Sequence, residues 1–136
     1  MADVRTLTFD QVISFPPEEV WRALTEPQLL ARWWAPGDIR PVIGHKFTLD
    51  MGAWGVRDCE VLAVKEYELL QYSFSGGGLD TVISWRLVQE EGGTHLFLEH
   101  SGFDFDTEIG ETAFKGMGSG WPTVLGRISD VLVTTG

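Results

Sequence analysis

Apolar and polar residues alternate with a period of two along most of the chain up to residue 103. From about residue 108 the period changes to three or four. Residues 4–15 predict a first strand, with Leu7, Phe9 and Ile13 on one face and Thr8, Asp10 and Ser14 on the other. Gln11 falls on the apolar face and breaks the pattern. Pro16-Pro17 ends that strand and opens a short helix, because proline is tolerated in a first turn where its missing N–H has no partner to lose. Val20, Trp21 and Leu24 form the apolar stripe of this helix, and Glu18 and Glu19 suit its positive end. Thr25 is the expected N-cap of a second short helix, with Gln28 completing a capping box. That helix carries Leu29, Leu30, Trp33 and Trp34, and Ala35-Pro36-Gly37 stops it.

Strand then follows strand. Phe47, Leu49 and Met51 alternate with Lys46, Thr48 and Asp50. Residues 56–66 and 69–75 predict a pair turning at Glu66-Tyr67-Glu68, with Leu70, Tyr72 and Phe74 sharing a face. Ser75-Gly76-Gly77-Gly78 breaks the chain before residues 80–90, where Ile83, Trp85 and Leu87 oppose Ser84 and Arg86. Glu91-Gly92-Gly93 is a hairpin signal, and residues 94–103 place Leu96, Leu98 and His100 together. Tight turns between consecutive strands predict an antiparallel meander with one buried side.

The last segment, 108–134, repeats Phe114, Met117, Trp121, Leu125, Ile128 and Leu132 at helical steps. Gly116, Gly118, Gly120 and Pro122 interrupt it. Each glycine costs roughly 1 kcal/mol against alanine in a helix interior and proline about 3, so a kink or break is expected at Pro122. The fold class expected is α+β: a curved antiparallel sheet of about six strands wrapped around one long C-terminal helix, in a single domain over 1–136. The inward residues are largely aromatic, and aromatics fill a concave interior poorly, so a cavity between sheet and helix is expected.

Charge narrows the partners. A formal net charge of −10 disfavours nucleic acid, and ten basic residues that form no run disfavour an anionic membrane surface. No apolar stretch approaches the length of a membrane span. Cys59 is the single cysteine, so no internal disulfide or thiol pair for a metal can form. The opening residues carry neither a basic n-region nor an apolar h-region, and a cytoplasmic location is the expectation. Phosphate loops, metal-ligand spacings and nucleophile elbows are lacking, so no cofactor and no metal are expected.

The run Pro17-Glu18-Glu19-Val20-Trp21-Arg22-Ala23-Leu24-Thr25-Glu26-Pro27, followed by Leu30-Ala31-Arg32-Trp33-Trp34-Ala35-Pro36, resembles the opening of the START-like superfamily, also called the helix-grip or SRPBCC group. Within it the chain resembles the homologues of the heat-shock-chaperone ATPase activator. Gly44-His45-Lys46-Phe47 is similar to their second strand, His100-Ser101-Gly102-Phe103 to their last, and Gly120-Trp121 with Leu125 and Ile128 to their final helix. Ile43, Cys59 and Pro122 depart from the pattern. The resemblance implies the helix-grip fold, an internal hydrophobic cavity and no standard cofactor. It implies no shared catalytic set.

The expected cavity wall comprises Phe47, Leu49 and Met51, then Tyr72, Phe74, Ile83 and Trp85, then Leu98 and His100, with Phe114, Met117 and Trp121 from the helix. Trp33 and Trp54 line or gate it, Trp54 from the glycine-flanked loop Gly52-Ala53-Trp54-Gly55. His100 and Tyr72 are the candidate catalytic pair, as acid or base and orienter, against the plainer reading of a neutral histidine held by a hydrogen bond. Cys59 reads as a small buried hydrophobe, and Asp104, Asp106, Glu108 and Glu111 as a solvated loop favouring a helix start. His45, His95 and His100 point too differently to share a metal. Binding of a small hydrophobic molecule, as carrier, sensor or stress-related binding protein, is favoured. A cyclase- or hydrolase-type enzyme and a co-chaperone-like interaction module are the alternatives. The sequence leaves open whether the protein is a monomer or a homodimer.

Overall fold

The computed structural model describes residues 3–135. Its strands are β1 (Val4–Ile13), β2 (Lys46–Asp50), β3 (Val56–Lys65), β4 (Leu69–Gly76), β5 (Leu79–Glu90) and β6 (Gly93–Asp104). Its helices are α1 (Pro17–Thr25), α2 (Pro27–Trp33) and α3 (Glu108–Thr135), with one 3-10 turn at Gly52–Trp54. The strands form one antiparallel sheet in the order β1-β6-β5-β4-β3-β2. The expected meander therefore runs from β2 to β6, and β1 returns to pair with the last strand.

Irregularities bend the sheet around the helix. Arg5 pairs with Phe103 and Thr6 with Ser101, so Gly102 is an extra residue on β6. It sits at φ +95, and a side chain there would start 3.0 Å from the Asp80 carbonyl oxygen, so glycine is what this bulge accepts. A second irregularity lies between Val61 and Ala63. Such bulges increase local twist and curl a sheet toward the helix it covers.

The connector differs from expectation at its joint. Thr25 ends α1, and its hydroxyl donates to the Trp21 carbonyl at 2.8 Å. Glu26 is both the C-cap of α1 and the N-cap of α2, in extended backbone (φ −95, ψ 119), without a side-chain cap bond. Pro27 is the cause. A proline excludes the residue before it from helical backbone, so the new helix starts one residue later than the capping-box pattern suggests. Strand β1 likewise stops at Ile13, two residues short of the expected end.

Helix α3 runs unbroken through Pro122, so the expected break does not form. Pro122 is exposed, which puts its ring on the solvent side of the helix, and the hydrogen bond it forfeits is the one to the Gly118 carbonyl. The sheet-facing side of α3 buries Trp121, Leu125, Ile128 and Leu132. At its start the Thr107 hydroxyl accepts from the Gly110 N–H at 3.0 Å and donates to the Asp104 carbonyl at 2.8 Å. The acidic residues around that turn gather no metal site: among the described residues no group of three or more His, Cys, Asp or Glu does so. No described helix is long and apolar enough to cross a membrane.

Candidate functional site

Most of the interior is filled. Trp85 meets Trp33 and Trp121 edge to face at centroid separations of 5.8 and 5.6 Å, and Trp34 packs on Trp121 at 4.9 Å. Aromatic rings fill concave space when edges meet faces, and this cluster does so. The Trp85 N–H donates to the Tyr72 hydroxyl at 2.9 Å, and the Trp33 N–H donates to the Ala23 carbonyl at 2.7 Å. Burial pushes the Tyr72 hydroxyl pKa upward.

His100 belongs to the same buried interior. Its Nδ1 accepts from the Trp121 N–H at 3.2 Å, and its Nε2 lies 2.9 Å from the Thr81 hydroxyl oxygen. That hydroxyl lies 2.7 Å from the Phe74 carbonyl, to which it must donate. The chain of donors is thereby fixed: Trp121 to His100, His100 Nε2–H to Thr81, Thr81 to Phe74. A neutral imidazole satisfies every atom, and a second proton would face the Trp121 N–H. Burial pushes the His100 pKa down to about 3. Both ring nitrogens are engaged away from open space.

A cavity of about 350 Å³ opens beside this core, between α3 and the sheet edge formed by the β2–β3 and β4–β5 connections. One stripe of α3, at steps of three and four, forms a wall: Ala113, Gly116 and Gly120 leave room, Met117, Trp121 and Val124 give it apolar surface, and Arg127 ends it. Trp34, Phe74 and Leu79 face this stripe, with Met51 and Trp54 at the mouth. The glycines account for the space. A side chain on Gly116 would start 3.6 Å from the Trp54 ring, and one on Gly120 would meet nothing within 4 Å.

Trp54, 61% exposed, lies across the opening on its 3-10 turn. Arg57 ties it there, donating to the Trp54 carbonyl at 2.8 Å and to the Gly76 carbonyl. Replacing Arg57 with alanine should free this loop, seen as faster amide hydrogen exchange at Ala53 to Gly55 with little change in β6. Unchanged exchange there would mean the clasp holds nothing.

Five of the expected wall residues meet at this cavity: Met51, Trp54, Phe74, Met117 and Trp121. Trp33, Leu49, Tyr72, Ile83, Trp85 and His100 are no more than 1% exposed and pack in the core behind it, as do Phe47 and Leu98. Phe114 packs edge to face on Phe103 and Phe105 instead. Gln11 is half-buried on β1 and bonds weakly to the neighbouring Val12 carbonyl at 3.5 Å. Trp34, Arg57, Leu79 and Arg127 are lining residues the sequence pattern did not single out. Arg57 had a usable signal: it shares the inward register of β3 with buried Cys59 and Val61.

The sequence pattern of the family described as "Activator of Hsp90 ATPase homolog 1-like protein" matches residues 14–133. The chain belongs to that family. Comparison with curated proteins gave no match. Among solved structures, protein MLL2253 from Mesorhizobium loti is 36% identical, with 97% of this chain and 99% of that one covered, at a TM-score of 0.88. CalU16 from Micromonospora echinospora is 27% identical over 95% of this chain and 76% of that one, at a TM-score of 0.76. The Aha1 dimer from Colwellia psychrerythraea shares the fold at 21% identity, over 94% and 96% of the two chains, with a TM-score of 0.79.

The departures from the Hsp90-activator homologue pattern have structural outcomes. Cys59 is buried, and burial with Asp58 beside it pushes its pKa up to about 12, so its thiol stays protonated and unreactive at neutral pH. Ile43 is exposed in the turn before β2. The other histidines lie apart: the His45 ring bonds the Asp38 carbonyl at 2.7 Å, and His95 sits between Asp10 and Glu90 on the outer side of the sheet.

Proposed function

We propose that this protein binds a small apolar molecule in the cavity beside α3, as a carrier or sensor. The observation that carries the reading is the glycine-lined stripe. Gly116 and Gly120 weaken the helix that grips the sheet, and both lie where a side chain would enter the cavity. About 350 Å³ is toward the small end of ligand pockets, roughly 300–1,000 Å³, and aromatic walls with few polar groups are their common form. The fully bonded state of His100 favours binding over catalysis through that residue.

Gly120→Leu separates space from stability. The leucine should fill the cavity and weaken displacement of a lipophilic dye at least about tenfold. It should also raise stability by up to about 1 kcal/mol, since leucine is the better helix former. A variant that is equally stable and binds the dye as before would contradict the reading, as would wild-type protein that takes up no lipophilic probe.

The exposed Trp54 ring favours a second reading, contact with another protein such as a chaperone. A pull-down with the chaperone, with and without Trp54→Ala, tests it. Retention that does not depend on Trp54 counts against this surface.

A further inference from the structure

We propose that the cavity selects a slender apolar molecule bearing one anionic group, a carboxylate or similar monoanion, with Arg127 holding that group. The proposal deepens the binding reading above and rests on it.

Shape comes from the helix stripe. From Ala113 to Arg127 it rises about 21 Å along α3, and some 350 Å³ spread along that length is narrow. Arg57 and Arg127 stand toward opposite ends: Arg57 holds the Trp54 loop, whose ring lies over Gly116, and Arg127 is the last residue of the stripe. The surface between them is apolar.

Charge comes from what lines the cavity and what does not. The chain has 20 Asp and Glu against ten Lys and Arg, yet the lining holds two arginines and no carboxylate. Arg5 and Arg22 pair with carboxylates at 3.0 Å or less. Arg57 gives one N–H from each terminal nitrogen to a backbone carbonyl, Gly76 and Trp54. The Arg127 side chain has neither a hydrogen bond nor an ion pair among the described residues. A purely apolar end lying against these guanidinium groups returns no hydrogen bond for the water it displaces, a neutral hydroxyl returns an ordinary one, and an anion returns stronger charge-assisted ones. Arg127 is exposed at the rim, so it can swing onto a terminal anionic group without disturbing the fold.

The test uses matched probes on the whole chain: decanoate against decanol, and naphthaleneacetate against naphthaleneethanol, each followed by quenching of tryptophan fluorescence. Wild-type protein should bind each anion about tenfold tighter than its neutral partner. Arg127→Gln should bring each pair close to parity by weakening the anion alone, and Arg127→Glu should reverse the order. Parity, or preference for the alcohols, in wild-type protein overturns the charge claim and leaves the apolar site standing. An anion preference that survives Arg127→Gln overturns the role of Arg127. Failure of all four probes overturns the binding reading beneath.

Discussion

Truncating Trp85 to alanine should cost roughly 3–5 kcal/mol of folding free energy, the range for removing a fully buried large aromatic. Trp85 is 0% exposed, meets Trp33 and Trp121 edge to face, and donates to Tyr72. The neighbours belong to three different elements, so they cannot collapse together into the hole. Domains of this kind hold only about 5–15 kcal/mol in total, and the variant should unfold at a much lower urea midpoint, followed by far-ultraviolet circular dichroism. Tyr72→Phe isolates the polar part. It leaves the Trp85 N–H buried without an acceptor and should cost about 1–3 kcal/mol. If Trp85→Ala costs less than Tyr72→Phe, the aromatic cluster is not what closes the interior.

The second large effect is on pH. His100 has its folded pKa pushed from the ordinary 6.5 down to about 3 by burial. The unfolded chain therefore takes up a proton below about 6.5 that the native state refuses. Full stability is present above that value and falls with acidification toward 3, at about 1.4 kcal/mol per pH unit where the difference is one whole proton. His100→Gln removes this titration. The measurement is the urea midpoint between pH 4.5 and 7, where wild type should lose stability more steeply than the variant. His95 works in the opposite sense: the Asp10 hydrogen bond, with Glu90 nearby, raises its pKa, so its small contribution is present at low pH and fades as pH rises. It belongs in the control set as His95→Gln. Coincident slopes for wild type and His100→Gln would mean that the imidazole is hydrated rather than sealed.

The fold was legible because its signals are local. Alternation marked every strand of the meander, and Gly76 to Gly78 and Gly92 marked turns that the structure uses. The joint at Glu26 was misplaced because the Thr25–Gln28 capping pattern and the Pro27 constraint compete over adjacent residues, and the covalent constraint wins. A kink or break was expected at Pro122 because a sequence shows the lost hydrogen bond without showing whether the ring points to solvent. The site was legible only in part. Inward register identifies residues that face the interior, yet it does not separate those sealed in the core, such as Trp33 and Ile83, from those beside open space, such as Phe74 and Met117. That distinction depends on where α3 presents a side chain and where it presents none. Arg57 was passed over because a charged residue at an inward position looks like an interruption of the pattern.

The vacancy at Gly120 has a consequence for how relatives of this protein could diverge. Enlarging that one position, then Gly116, would shorten the permitted guest by a few atoms at a time, and each step would make the helix firmer rather than weaker. Selection for durability alone would therefore favour closing the chamber. A lineage that keeps glycine there forgoes that gain, and the dimension of what it accommodates is written in a few backbone positions of a single helix.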